Sequence, residues 1–520
     1  STNNYPRSSA VGLFAAEPDP AVRLLVRDSY LPGIPVLVRV EALDGQGAVD
    51  RTLWDAAATL SVTDNPGIRL SADQVTLYNG LGSAMVTFSG GGDFTLTAEV
   101  NGAVASAALT DWSGQPAKTV SGRLSRSETW SGIVHVTGDF AIPDGLTLTL
   151  NPGVLVLIDG VPSGTNGTDI DVEGAIASLG TAASPITITA YTPGRNWGEL
   201  HFVDAEPSTF KYTNISGGGH SPRVGHSNSG PTIRASNSTL VFESASLTDN
   251  AGKLMDAASG CDLTFRRCLF TRSVMGPEIA GTALLFEDGW ITEMYGTDDG
   301  DGIYIHGQRA GQLCTLSRSV AANITDDGID TLSSEVTMQD FIVRDCRDKG
   351  VSIYGGEVNI NHCLIVENNK APEDPTVATI AIKTFNGATA VVNIDHTTIV
   401  TSKVPGYSDI GIQSHNKYGV TSGVIICNVT NSIIDAADPV DVQAPYLESD
   451  IHISYSDVFG ELWPGTGNLN ANPLFVDPAN HDYRLQAASP CIDAGDPAAE
   501  LDPDQTVTDH DGNGQETVTL

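Results

Sequence analysis

Gly302-Ile303-Tyr304-Ile305-His306 decides the fold, because it returns as Gly328-Ile329-Asp330-Thr331-Leu332 and again as Gly350-Val351-Ser352-Ile353-Tyr354. Weaker copies are Thr379-Ile380-Ala381-Ile382-Lys383 and Gly411-Ile412-Gln413-Ser414-His415. Upstream, Gly230-Pro231-Thr232-Ile233-Arg234 and Gly276-Pro277-Glu278-Ile279-Ala280 extend the series. A period of roughly 22–32 residues is the mark of a solenoid. Each copy reads as a short strand, mostly with apolar residues at its second and fourth positions. Alternation sends those side chains inward and leaves the third and fifth on the surface. The pattern predicts an all-β chain built around a parallel β-helix.

The composition agrees. Glycine is abundant, at 54 residues, and aromatics make up only 6% of the chain, as many short strands and tight turns require. No run has helical period, and no apolar stretch is long enough to span a membrane. The formal charge of -36 opposes nucleic acid and anionic membrane surfaces as partners. It suits a secreted or cell-surface chain from which any leader has been removed, with acidic clusters that could hold Ca²⁺. The seven cysteines include no CxxC and no zinc-like spacing, and most lie in strand-like contexts. Core thiols are the expectation, with one or two disulfides between neighbouring coils as the alternative.

Along the chain, residues 1–20 read as an irregular lead-in. Residues 21–112 change to longer alternating strands, such as Pro35-Val36-Leu37-Val38-Arg39-Val40, divided by turn signals such as Asn65-Pro66-Gly67. These predict a small β-sandwich that resembles immunoglobulin-like modules, serving as spacer or end cap, with a sugar-binding module as the alternative. Residues 113–119 form a linker, 120–495 the β-helix and 496–520 a tail. In the tail Asp509, Asp511 and Asn513 alternate like the oxygen ligands of a Ca²⁺ loop, without its terminal Glu.

Laying the repeats in register gives two surface columns. The third position reads Thr232, Glu278, Tyr304, Asp330, Ser352, Ala381 and Gln413, and the fifth reads Arg234, Ala280, His306, Leu332, Tyr354, Lys383 and His415. Asp298-Asp299-Gly300-Asp301, Asp326-Asp327 and Asp348-Lys349 stand just ahead of three copies. Carboxylates gathered on one face are what glycosidic cleavage requires, with a cation or histidine assisting. Candidate catalytic residues are therefore Asp301, Asp326, Asp327, Lys349, Lys383 and His306. Candidate glycan contacts are Glu278, Tyr304, Asp330, Tyr354, Gln413, His415 and Lys417. In an alternative role Asp298, Asp299, Asp301, Asp326 and Asp327 hold Ca²⁺. A loop carrying His220, Arg223 and His226 is expected to project from an early coil.

This coil series resembles that of polygalacturonase-type glycoside hydrolases, whose right-handed parallel β-helix carries Asn-Thr-Asp, Asp-Asp, Gly-His-Gly and Arg-Ile-Lys on successive coils. Asp301 stands at the first aspartate, Asp326 and Asp327 at the pair, and Lys383 at the final lysine. The resemblance implies a general acid among these aspartates and others activating water. Lys349 stands in place of the histidine, Ala381 in place of the arginine, and Gly300 precedes Asp301 where the family has threonine. Over most of its length the chain also resembles secreted bacterial β-helix repeat proteins joined to spore-coat-protein-H-like surface modules. That likeness implies an extracellular location and further modules in a larger protein.

A polysaccharide lyase is the second enzymatic expectation. Ca²⁺ would neutralise a uronate, and Lys349, Lys383, His306, His415 or Tyr354 would take the proton. A non-catalytic surface, adhesion or scaffold module binding Ca²⁺ is the alternative from another class. No organic cofactor is expected.

Overall fold

The computed structural model describes residues 21–160, 166–297, 299–309, 311–371, 377–415, 419–443 and 448–498. Among these residues the architecture is all-β. A large sheet system of 36 strands winds from Ala117 to Phe459, and strands mostly pair in parallel with the third strand onward in sequence. Three strands per coil make a three-sided, right-handed β-helix, the hand that parallel crossovers adopt.

One sheet carries the recurring phrase and includes Lys253–Ala257, Met275–Ala280, Ile303–His306, the start of Ile329–Gln339 and of Val351–Asn361, and Ala378–Lys383. Its register pairs Arg234 with Asp256, Asp256 with Glu278, Glu278 with Tyr304, Tyr304 with Asp330, and Asp330 with Ser352. The expected columns hold from Glu278 onward. Upstream they are corrected by two residues, because Arg234 and not Thr232 takes the third position. An additional coil, bearing Asp256, lies between the Arg234 and Glu278 coils.

Inward-facing residues form ladders. Phe210 stacks on Phe242 at 4.6 Å between ring centroids, and Phe242 on Phe265 at 5.1 Å. The coils turn one corner on residues in left-handed conformation, among them Ser244, Arg267, Asp288, Arg318, Asp340 and His362. Their side chains pay a steric cost there. Each offsets it by donating its N–H to a carbonyl of the next coil, as Arg267 does to Glu287 and Arg318 to Gln339. All seven cysteines are free thiols, six of them buried.

Residues 21–111 fold as two antiparallel-rich sheets of four and five strands around one core that includes Val38, Val40, Leu60, Phe88, Phe94 and Leu96. This β-sandwich does not cap an end of the helix, as expected, but lies along a second face. Leu81, Tyr78 and Val49 pack on Leu269, Trp290, Val320 and Ala322. Leu31, Ile34 and Trp112 cover Ile133, Leu155 and Leu157. Trp54 joins Phe475, Tyr483 and Leu485 of the C-terminal segment over Val366 and Val400. The reason is legible in the coils: outward residues on this face include Ile133, Leu155, Leu269, Trp290, Val320 and Val366, and burying each is worth about 1.5–3 kcal/mol. Arg344, fully buried, donates to Asp55 and Asn79 and lies 4.4 Å from the Trp54 ring centroid.

Candidate active site

The phrase-bearing sheet, on a different face, holds the candidate site. Residues entering its strands place Asp301, Asp326 and Asp327 so that one oxygen from each lies within 4.8 Å of the others. Asp301 and Asp327 are buried, and Asp326 is partly exposed. Lys349, one coil further, sets its ammonium 2.9 Å from Asp327 Oδ1 and also bonds Asp348; its backbone N–H donates to the same Oδ1 at 2.9 Å. Lys383 is buried beside them and donates to Ser352 Oγ at 2.8 Å.

This asymmetry separates the three carboxyls. Burial, then the neighbouring charge of Asp327, pushes Asp326 up to about 7. Burial and the charges of Asp330, Asp327, Asp326 and Asp299 push Asp301 far above the carboxylate range. Burial alone would raise Asp327 too, but Lys349 and Lys383 outweigh it and hold that group below its ordinary value. Asp330, partly exposed, is raised by burial and by Asp327. Lys349 is held above its ordinary range, since Asp327 and Asp348 outweigh burial. One cluster thus holds carboxyls that keep their proton and one that keeps its charge, the pairing from which acid–base roles are assigned.

Other expected residues fall elsewhere. Glu278 is no surface contact: it is 5% exposed, bonded to the fully buried Lys253, accepts the His226 N–H at 2.9 Å and lies 3.2 Å from His306 Nε2. Lys253 and His306 outweigh burial and bring Glu278 down to about 2. His306 therefore faces Glu278 and stacks on Tyr304 at 4.6 Å, on the Glu278 side of the aspartate group. Gln413 is fully buried, donates to Asp441 at 2.9 Å and lies 3.0 Å from His415 Nδ1. Tyr354 is partly exposed and stacks on Phe385 at 3.9 Å. Asp299 lies 3.0 Å from His226 Nε2. Lys417, Asp298, Asp509, Asp511 and Asn513 lie outside the described residues.

The early loop does reach the site. His226 stacks on Tyr304 at 4.3 Å, and its Nε2 is 3.3 Å from Asp301 Oδ2. One atom each of His226, Asp301 and Asp330 converges within 4.8 Å. Asp301 Oδ2 nevertheless has no hydrogen-bond partner among the described residues. Sequence reasoning missed Lys253 as the loop's anchor. Its strand lacks the leading glycine of the phrase, so the coil escaped the repeat series.

Comparison with known proteins agrees with the topology. The family model described as "Right handed beta helix region" matches residues 236–393. No curated protein sequence matches. Among solved structures, the chain is similar to the catalytic domain of a GH87 α-1,3-glucanase variant in complex with tetrasaccharides. The identity is 11% and the TM-score 0.36, over 86% of this chain and 98% of that one. It is similar to a tailspike protein mutant of E. coli bacteriophage HK620 in complex with a pentasaccharide, at 12% identity and a TM-score of 0.30, over 69% and 72%. It is also similar to Dex49A from Penicillium minioluteum, at 9% and 0.25, over 83% and 77%. No helix among the described residues is long and apolar enough to cross a membrane.

Proposed function

We propose that this chain is a secreted, polysaccharide-cleaving protein of glycoside hydrolase type. The observation that carries this reading is the aspartate cluster itself, in which Lys349 sits 2.9 Å from Asp327 and favours its charge while burial and Asp327 push Asp326 up to about 7. Asp326, the more exposed member, donates its proton to the glycosidic oxygen as the bond breaks. Asp327 orients and deprotonates the attacking water, and Lys349 keeps that base charged. Such proton transfers contribute on the order of 10²–10⁴-fold each. Lyase chemistry through Lys349 is less well supported, because Asp327 and Asp348 keep its ammonium protonated. The test is incubation with polygalacturonate, alginate, α-1,3-glucan and dextran. New reducing ends without unsaturated-product absorbance support hydrolysis, absorbance assigns a lyase, and neither signal on any polymer removes the enzymatic reading.

A second reading, a Ca²⁺-binding scaffold or adhesion module within a larger surface protein, draws on the converging carboxylates of Asp301, Asp326 and Asp327 and on Asp301 Oδ2, which accepts no hydrogen bond from the described residues. Calcium takes six to eight oxygen ligands, whereas Asp327 already spends its charge on Lys349, so the hydrolase reading is preferred. Thermal stabilisation by Ca²⁺ that disappears in Asp301→Asn, together with no glycan cleavage, would favour the scaffold.

A further inference from the structure

Resting on the hydrolase reading, we propose that residues 221–229 form an arm closing the cleft on its N-terminal side, confining cleavage to chain ends and short oligosaccharides. Arg234, Asp256, Glu278 and Tyr304 are successive outward positions of one column, and the arm runs over them. Arg234 Nη2 donates to Pro222 O at 3.0 Å, and Lys253 Nζ to Val224 O at 2.8 Å. Glu278 accepts the His226 N–H, and the His226 ring ends on Tyr304. The arm thus spans three coil steps, about 14 Å.

It is anchored, not draped. Lys253 is 0% exposed, and its ion pair with Glu278 lies beneath the arm. Gly225, at φ +57°, approaches so closely that a Cβ there would stand 2.4 Å from Glu278 Oε2. A buried pair of this kind stays put, because releasing either partner strands the other charge away from water.

On the other side the same column is buried. Ser352, Ala381 and Gln413, the next outward positions, are 0%, 1% and 0% exposed. Between Tyr304 and Ser352, Asp330 is partly exposed, and so are His306, Leu332 and Tyr354 of the neighbouring column, a window that begins where the arm ends. A glycan running along the helix axis meets the arm at Tyr304, on one side of that window. Its terminus can enter it, beside Asp326 and Asp327.

The experiment follows product sizes over time on whichever polymer of the panel the wild type cleaves. Mono- to trisaccharides from the earliest points, with the polymer's average size barely changed, are expected. Early fragments of intermediate size would overturn the inference while leaving the hydrolase reading intact. No cleavage of any polymer or of its short oligosaccharides would overturn both. Replacing residues 222–227 by two glycines is expected to increase the fall in viscosity per reducing end released by tenfold or more. Gly225→Ala, which disturbs only the anchor, should move it the same way by less. A folded arm-shortened variant with the wild-type product pattern would show that the arm is no barrier.

Discussion

The face beneath the sandwich and the face bearing the aspartates are made by the same coils, and both bury charge. On the covered face, Arg344 is buried with Asp55, Asp345 and Asn79 as partners and an aromatic ring over it. A few residues later the chain reaches the other face. There Asp301, Asp326 and Asp327 crowd together with one ammonium close to Asp327, and Asp301 Oδ2 has no hydrogen-bond partner among the described residues. At Arg344 all three guanidinium nitrogens are bonded, and that charge helps fix one surface on the other. Partly satisfied charge shifts protonation and leaves chemistry to be done.

The largest break in that contrast is expected from Asp327→Asn. It should still fold, since Lys349 keeps Asp348 as a partner, yet lower kcat on the cleaved glycan by on the order of 10²–10⁴-fold. Loss of folding instead, seen by circular dichroism, would make Asp327 a structural charge like Arg344. Arg344→Met should do the reverse. It should cost about 3 kcal/mol, the lower end for a broken buried pair because Asp55 can turn to solvent, with kcat unchanged. Urea titration alongside the glycan assay measures both.

The titration of the site gives a third. With Asp326 protonated up to about 7 and Asp327 ionised below the ordinary range, activity should be flat in mildly acid solution. It should then fall about tenfold per unit above pH 7. An alkaline limb well removed from 7 in the kcat/KM profile would assign the acid to another group. Stability should move in the same direction. The folded chain holds on Asp326 a proton that the unfolded chain releases near 3.9, so this group's contribution is full below that pH and is lost as pH rises to about 7. Glu278, at about 2 in the fold, works oppositely: its contribution is present above the carboxylate range and is lost as pH falls toward 2. The smallest effect belongs to the third face, where Asn359, Asn393 and Asn428 form a side-chain ladder. Asn393→Ala should cost about 1 kcal/mol by urea titration and leave activity alone.

What the sequence determined is the coil. Period-two alternation inside a returning phrase is a local property, and it put Asp301, Asp326, Asp327, Lys349 and Lys383 on neighbouring turns before any coordinates. It also marked the sandwich strands and the loop bearing His226. Only the tertiary structure decided where the sandwich docks, because packing depends on the outward residues of many coils at once, and no local pattern joins Leu81 to Trp290. Only the structure showed that Glu278 and Gln413, surface positions by alternation, are covered by an arm and by side chains from neighbouring positions. Alternation says which way a side chain leaves its own strand. What then lies on top of it is settled by contacts remote in sequence, as Lys253, Glu278 and His226 show.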